Sequence, residues 1–184
     1  MTQNQRRVLL LTVGAGLLQL LLLVREHFTG GVISHHVLHD PALPAISNFW
    51  GLLVLPLLGL LTAWHGNRQL AAVSENTESQ PFLPPRSWLG FSLMLLVTLL
   101  QSVFWTLGLE QVTAYLALAV LLAGLLVPIY RPECLLGYTL GAAPVFGAVI
   151  PLVGVLFMAL LSYLVHRWLW PLMRRTRAPS SART

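Results

Sequence analysis

The sequence predicts an all-α integral membrane protein, a polytopic bundle of about six transmembrane helices. The first observation behind this prediction is compositional. Of the 184 residues, 56% are hydrophobic and only 9% are charged, whereas soluble domains are about 45–50% apolar and about 25% charged. A soluble domain of this length keeps too much of its surface in water to hide so many apolar side chains. The other two observations are the long apolar runs and the arginine and tryptophan residues at their ends.

The apolar runs define the expected spans in chain order. The first run follows Arg6 and Arg7, and it is longer than the apolar core of a signal peptide. No small-residue cleavage motif follows it, so we expect this run to be retained as a span. The six expected spans are 8–24, 49–64, 88–107, 112–130, 134–149 and 151–170.

The last two spans come from one uninterrupted apolar stretch, residues 134–170. This stretch is too long for one crossing, because about 20 residues span the hydrocarbon core. Pro144 and Pro151 lie in its middle, and proline removes a helix donor and clashes with the preceding turn. Two short helices broken by proline and glycine are therefore predicted. A re-entrant hairpin followed by one helix is the alternative, which requires protein or water to cover its irregular backbone.

The arginines predict the orientation. All eleven basic residues are arginine. With six crossings and a cytoplasmic N-terminus, every arginine except Arg25 lies on the cytoplasmic side, whereas five crossings would leave more arginines outside than inside. The positive-inside rule therefore favours six crossings with both termini cytoplasmic, and the bacterial inner membrane is the expected location. Because the basic residues flank the spans and form no face interleaved with aromatic rings, nucleic acid is not expected as a partner.

The six tryptophans support the same topology, since all of them fall at predicted span ends, where aromatic belts lie. We expect one transmembrane domain over residues 1–172 and a basic, disordered cytoplasmic tail over residues 173–184. The single cysteine, Cys134, excludes a disulfide within the chain.

One segment carries residues suited to chemistry. Residues 25–48, with the sequence REHFTGGVISHHVLHDPALPAISN, hold four of the six histidines and are expected to face outward. Residues 32–40 are predicted to form a short helix, ended by Pro41. In such a helix His35 and His39 lie on one face, because residues four apart are neighbours.

Imidazole and carboxylate groups on one side of a short helix are suited to binding a metal ion. The helix would place His36 four residues before Asp40, and His27 would return across the Gly30–Gly31 turn. A divalent metal, with zinc the first choice, is therefore a predicted cofactor. The expected ligands are His27, His35, His36, His39 and Asp40. The alternatives are a loop whose histidines bond to backbone or lipid headgroups, and a pH sensor, since histidine titrates near neutrality.

A catalytic zinc site also needs a general base near its open coordination position. The outward-facing carboxylates are Asp40, Glu26 and Glu110, and we take Asp40 and Glu110 as the expected catalytic residues. The predicted function is a metal-dependent membrane hydrolase that acts on a lipid or lipid-linked substrate. The alternatives are a non-catalytic scaffold or assembly subunit that binds a membrane protein partner, and a small transporter or metal carrier.

Four polar residues near or within the spans have structural expectations. Ser47 and Asn48 are predicted to cap the start of the second span. Gln19 and Gln101 lie deep in the first and third spans, where buried amides usually bond across helices. A small transporter would instead use one of these two glutamines to line a polar path.

Overall fold

The computed structural model describes residues 1–36, 42, 44–73 and 81–171. Within these ranges the chain forms six α-helices and one small antiparallel sheet, so the all-α class is confirmed. The elements in chain order are α1 (Gln3–Phe28), β1 (Ser34–His36), β2 (Ala45–Ser47), a 3₁₀ turn (Asn48–Trp50), α2 (Gly51–Ala71), α3 (Pro85–Thr106), α4 (Glu110–Leu126), α5 (Pro132–Phe146), α6 (Val149–Leu164) and a π-helical turn (Val165–Leu169). The predicted tail, residues 173–184, lies outside the described residues.

Four helical stretches are long and apolar enough to cross a membrane. These stretches are Gln3–Phe28, Asn48–Ala71, Pro85–Thr106 and Val149–Leu169. The helices α4 and α5 are shorter, with 17 and 15 residues. At about 1.5 Å per residue, α5 is about 22 Å long, less than the hydrocarbon thickness of about 30 Å.

The helices alternate in direction, and one end of the bundle collects most of the arginines. At this end Arg7 of α1 donates to the Asn67 side chain near the end of α2, at 3.1 Å. Ser87, in the first turn of α3, donates to Glu133, in the first turn of α5, at 2.9 Å. The ring of His166, just beyond α6, lies against the carbonyl oxygen of Leu126 at the end of α4. We call this the arginine end, and the opposite end, which carries β1 and β2, the histidine end.

The helix α5 occupies the centre of the bundle. Ten of its fifteen residues are buried, and it packs against α3, α2 and α6. Glu133 fixes its first turn at the arginine end, and Gly147, just past its last residue, lies against Asn48 at the histidine end. The short α5 therefore runs from one end of the bundle to the other.

Glycines allow two helix pairs to approach closely. Gly137 and Gly141 of α5 lie against the α3 backbone, where the carbonyl oxygens of Phe91 and Leu95 occupy the space that a Cβ atom would need. Gly59 of α2 lies in the same way against the backbone of Leu11 in α1. Close backbone approach at small residues is the usual basis of helix association in membranes, where no hydrophobic force drives helices together.

The sequence prediction was wrong for the helix over residues 32–40, as far as these residues are described. Residues 34–36 form β1, which pairs with β2 so that His35 lies opposite Ile46. A segment that leaves α1 and must return to α2 at the same end needs a reversal, and two antiparallel strands provide one with paired backbone groups. The positive φ angles of Gly30 and Gly31 confirm the predicted turn before β1.

The break in the last apolar stretch is confirmed but displaced. α5 ends at Phe146 and α6 begins at Val149, not at the predicted 149 and 151. Gly147, with φ of 69°, turns the chain. Pro151 instead falls in the first turn of α6, where its missing N–H has no intrahelical partner to lose.

Candidate functional site

A buried carboxylate organises the histidine end. Glu26 is only 8% exposed, and both of its oxygens accept hydrogen bonds. Oε1 accepts from the side-chain amide of Asn48 at 2.5 Å, and Oε2 accepts from the backbone N–H of Ile33 at 3.1 Å. The backbone of Asn48 in turn donates to the carbonyl of Ile33. Glu26 thus links the end of α1 to Ile33, the residue before β1, and to Asn48, the residue after β2.

Asn48 also receives a contact from deep in α1. The Gln19 amide donates to the Asn48 carbonyl at 2.9 Å, which confirms the prediction that this glutamine bonds across helices. The predicted capping role is confirmed for Ser47, whose hydroxyl accepts from the N–H of Phe49. It is wrong for Asn48, because its amide turns toward Glu26 and its Oδ1 lies against Gly147.

The described predicted metal ligands differ in how close they lie to the Glu26–Asn48 contact and in how exposed they are. His35 lies partly buried in β1, with its Cδ2 3.3 Å from where a Cβ atom on Gly147 would be. His36 points to the opposite face of the strand, because side chains alternate along a strand. His27 is exposed and its ring meets Phe28 edge to face, with centroids 5.6 Å apart.

The structure therefore brings His35 toward the bundle and leaves His27 and His36 on the surface. His39 and Asp40 lie outside the described residues. Within residues 1–36, 42, 44–73 and 81–171, no three histidine, cysteine, aspartate or glutamate side chains form a group able to hold a metal ion. His39 and Asp40, which would complete the predicted ligand set with His35, belong to the residues between β1 and β2 that the structure does not describe.

Glu110, the other expected catalytic residue, lines a cleft between α3, α4, α5 and α6. We call this the Glu110 cleft, and its volume is about 280 Å³. Glu110 is the first residue of α4 and is exposed, so its carboxylate faces the positive end of the helix dipole. The polar residues that line the cleft are Glu110, Gln101, Thr113 and Tyr138. Trp105 and Phe146 contribute aromatic rings to its walls.

The cleft and the histidine segment lie on two sides of the end of α5. Phe146 lines the cleft, and the next residue, Gly147, contacts Asn48 and His35. No described residue of the segment 25–48 lines the cleft itself. The Glu110 cleft and the described part of the histidine segment thus meet at the end of α5, at Phe146 and Gly147.

Several buried polar groups at the arginine end were not predicted. Arg7 is fully buried and donates to the side chains of Asn4 and Asn67 and to the carbonyl of Pro81. Glu133, only 1% exposed, accepts from Ser87. The position of Arg7 directly before the first apolar run indicated membrane orientation, but it gave no indication of burial.

A second cavity of about 280 Å³ lies between α1 and α3, with walls formed almost entirely by leucine and aromatic side chains. Gly14 opens onto it, while Ala15 is buried and Gly16 contacts Pro56 of α2. None of the described residues that line this cavity is ionisable, which distinguishes it from the Glu110 cleft.

Comparison with protein-family models, with curated proteins and with solved structures finds no match for this chain. Its function must therefore be argued from its own structure. The relevant features are an apolar helical bundle, a sheet fixed by a buried carboxylate, and a partly polar cleft with a carboxylate at its edge.

Proposed function

We propose that the protein is a bacterial inner-membrane protein whose six helices all cross the bilayer, with both termini in the cytoplasm. The support is the position of α5, whose contacts with Ser87 and Asn48 reach both ends of the bundle. If α5 crosses the bilayer together with the other five helices, the number of crossings is even. The described arginines then divide as the positive-inside rule requires, with only Arg25 at the histidine end.

We further propose that the histidine end acts on a lipid or lipid-linked substrate as a metal-dependent hydrolase. The single observation that carries this proposal is the fixed position of β1. The Glu26–Asn48 contact holds His35 over the end of α5, next to the residue that lines the Glu110 cleft. A lipid substrate reaches such a site from the outer leaflet without leaving the membrane.

The metal, when bound, would supply a Lewis acid that activates water, and neutral imidazoles with a carboxylate suit zinc. The residues proposed to hold it are His27, His35, His36, His39 and Asp40. Asp40 and Glu110 are the proposed general bases, because each is a carboxylate in the outward-facing part of the chain. The Glu110 cleft would hold the apolar part of the substrate.

Elemental mass spectrometry on protein purified in mild detergent, without a metal-affinity tag, tests the metal. We expect about one zinc ion per chain and its loss in the His35→Ala/His39→Ala variant, because removing two of the imidazole ligands leaves too few donors for a tetrahedral site. The matched control is His65→Ala at the arginine end, which should keep the metal.

Wild-type protein that carries no metal after incubation with zinc would overturn the hydrolase proposal. That result would favour a non-catalytic scaffold or assembly subunit, since the sheet would then present its histidines to a membrane protein partner. A metal that is bound and then released across the membrane in vesicles would instead favour the small transporter or metal carrier.

A further inference from the structure

Hydrogen bonds between helices hold the walls of the Glu110 cleft. The Gln101 amide donates to the Thr113 carbonyl, and the Thr113 hydroxyl donates back to the Gln101 carbonyl. The hydroxyl of the neighbouring Ser102 donates to the carbonyl of Gly141 in α5 at 3.0 Å. Gln101 and Tyr138 are 4% and 7% exposed. Three helices are thus fastened together by satisfied polar groups, and a pre-formed site loses little conformational freedom on binding.

Small residues on all sides create the space inside the cleft. The four small residues lining it are Ala114, Ala117, Ala142 and Gly154. A Cβ atom added at Gly154 would meet nothing within 4 Å, so the cleft is open there. From Tyr138 to Phe146 the cleft follows about 12 Å of α5, at about 1.5 Å per residue. An apolar chain of several carbons fits such a space, whereas a helix with a diameter of about 10 Å does not.

Among the described residues that line the cleft, one is charged, and it is the acidic Glu110. Within the part of the chain that the structure describes, Glu110 makes no side-chain hydrogen bond or ion pair, and the only arginine at the histidine end is Arg25 of α1. The rings of Trp105 and Phe146 also line the cleft and meet edge to face, with centroids 5.3 Å apart. An organic ammonium group is attracted both to a carboxylate and to the faces of aromatic rings.

We infer that the Glu110 cleft binds an amphiphilic cation, with its ammonium group beside Glu110 and its apolar chain between α3, α4, α5 and α6. The ammonium group comes either from an amine-bearing lipid headgroup or from a soluble alkylamine. This inference is independent of the metal, and it leaves Asp40 as the general base of the proposed hydrolase, because Glu110 is then the counterion of the ligand.

Binding of hexyltrimethylammonium to the full-length protein in micelles of dodecyl maltoside, a detergent whose headgroup carries no ammonium group, tests the inference. We expect saturable binding by isothermal titration calorimetry. Glu110→Gln should bind about tenfold more weakly, because it removes one partner of a partly desolvated charge pair while it keeps the shape of the side chain. The affinity of the wild-type protein should also fall as salt is added.

Gly154→Leu provides a second variant that leaves the charge in place. Its side chain enters open space in the cleft, so we expect a folded protein in which binding is lost. The matched control is Gly14→Leu, which adds the same side chain to the open apolar cavity between α1 and α3 and should bind as the wild type does. Absent saturable binding, or equal affinity in the wild type, Glu110→Gln and Gly154→Leu, would overturn the inference.

Micelles of dodecyl maltoside mixed with phosphatidylethanolamine or with phosphatidylglycerol distinguish the two sources of the ammonium group. If this lipid weakens hexyltrimethylammonium binding and phosphatidylglycerol does not, the natural ligand is an amine-bearing lipid. If neither lipid competes, the cleft binds a soluble alkylamine. Both outcomes support a cation site, and because no metal is measured, a failed metal analysis leaves this result unaffected.

Discussion

Replacing Gly137 by alanine is expected to destabilise the protein by about 3 kcal/mol, the upper part of the range for overpacking a well-packed core. The added Cβ atom would overlap the carbonyl oxygen of Phe91 and lie 3.2 Å from the Leu95 amide nitrogen. Both obstacles are backbone atoms of α3, so no side-chain rotation relieves the overlap. α3 and α5 would have to separate along the interface that forms the centre of the bundle.

Reversible unfolding in mixed detergent and dodecyl sulfate micelles measures this change in free energy. Gly154→Ala is the matched control, because the added Cβ atom there meets nothing within 4 Å, and its effect should stay within about 0.5 kcal/mol. Equal stability of Gly137→Ala and Gly154→Ala would show that α3 and α5 do not approach as closely as described.

Replacing Asn48 by alanine is expected to cost about 2–3 kcal/mol, because it leaves one oxygen of the buried Glu26 carboxylate without its donor. Removing both partners should cost less than the sum of the single changes, since Glu26→Ala/Asn48→Ala leaves no unpaired charge. The same unfolding measurement, applied to the two single variants and the double variant, gives the coupling energy between the two side chains.

Ser47→Ala is the control for this pair. Ser47 is adjacent to Asn48, but its hydroxyl makes only an exposed cap bond of 3.4 Å to the N–H of Phe49, so its loss should cost less than about 1 kcal/mol. An Asn48→Ala variant as stable as Ser47→Ala, with no coupling to Glu26, would contradict the view that this pair fixes the sheet to the bundle.

The helices could be predicted from the sequence because each apolar run is an independent signal of length and composition. The tryptophans and arginines indicated approximately where each span ends. The break between α5 and α6 was predicted from Pro144 and Pro151, yet the chain turns at Gly147, since the positive φ at that position suits glycine and Pro151 is tolerated in a first helical turn.

The contacts between helices were less predictable. Gly137 and Gly141 are spaced four apart, a pattern of small residues typical of close helix pairs. This signal was available in the sequence, but the sequence analysis did not use it.

The sequence indicated which segment to consider as a candidate site, but the described part of that segment does not have the predicted geometry. The polar composition of residues 25–48 identified the segment, and the spacing of His35 and His39 suggested a helix that the described residues replace with a strand. Spacing alone does not distinguish the two, because a histidine pair four apart is compatible with either. The pairing of Glu26 with Asn48 joins residues 22 apart in sequence, and only the meeting of α1 and α2 at one end reveals it.

The crossing of α5 is the central claim of this account, and labelling of single cysteines in cells tests it most directly. In a Cys134→Ala background, Gln111→Cys places a thiol at the histidine end and Ser180→Cys places one in the C-terminal tail. With a membrane-impermeant maleimide, we expect Gln111→Cys to react in intact cells and Ser180→Cys to react only after the cells are permeabilised. Reaction of Ser180→Cys in intact cells, with Gln111→Cys also reactive, would show an odd number of crossings and contradict a transmembrane α5.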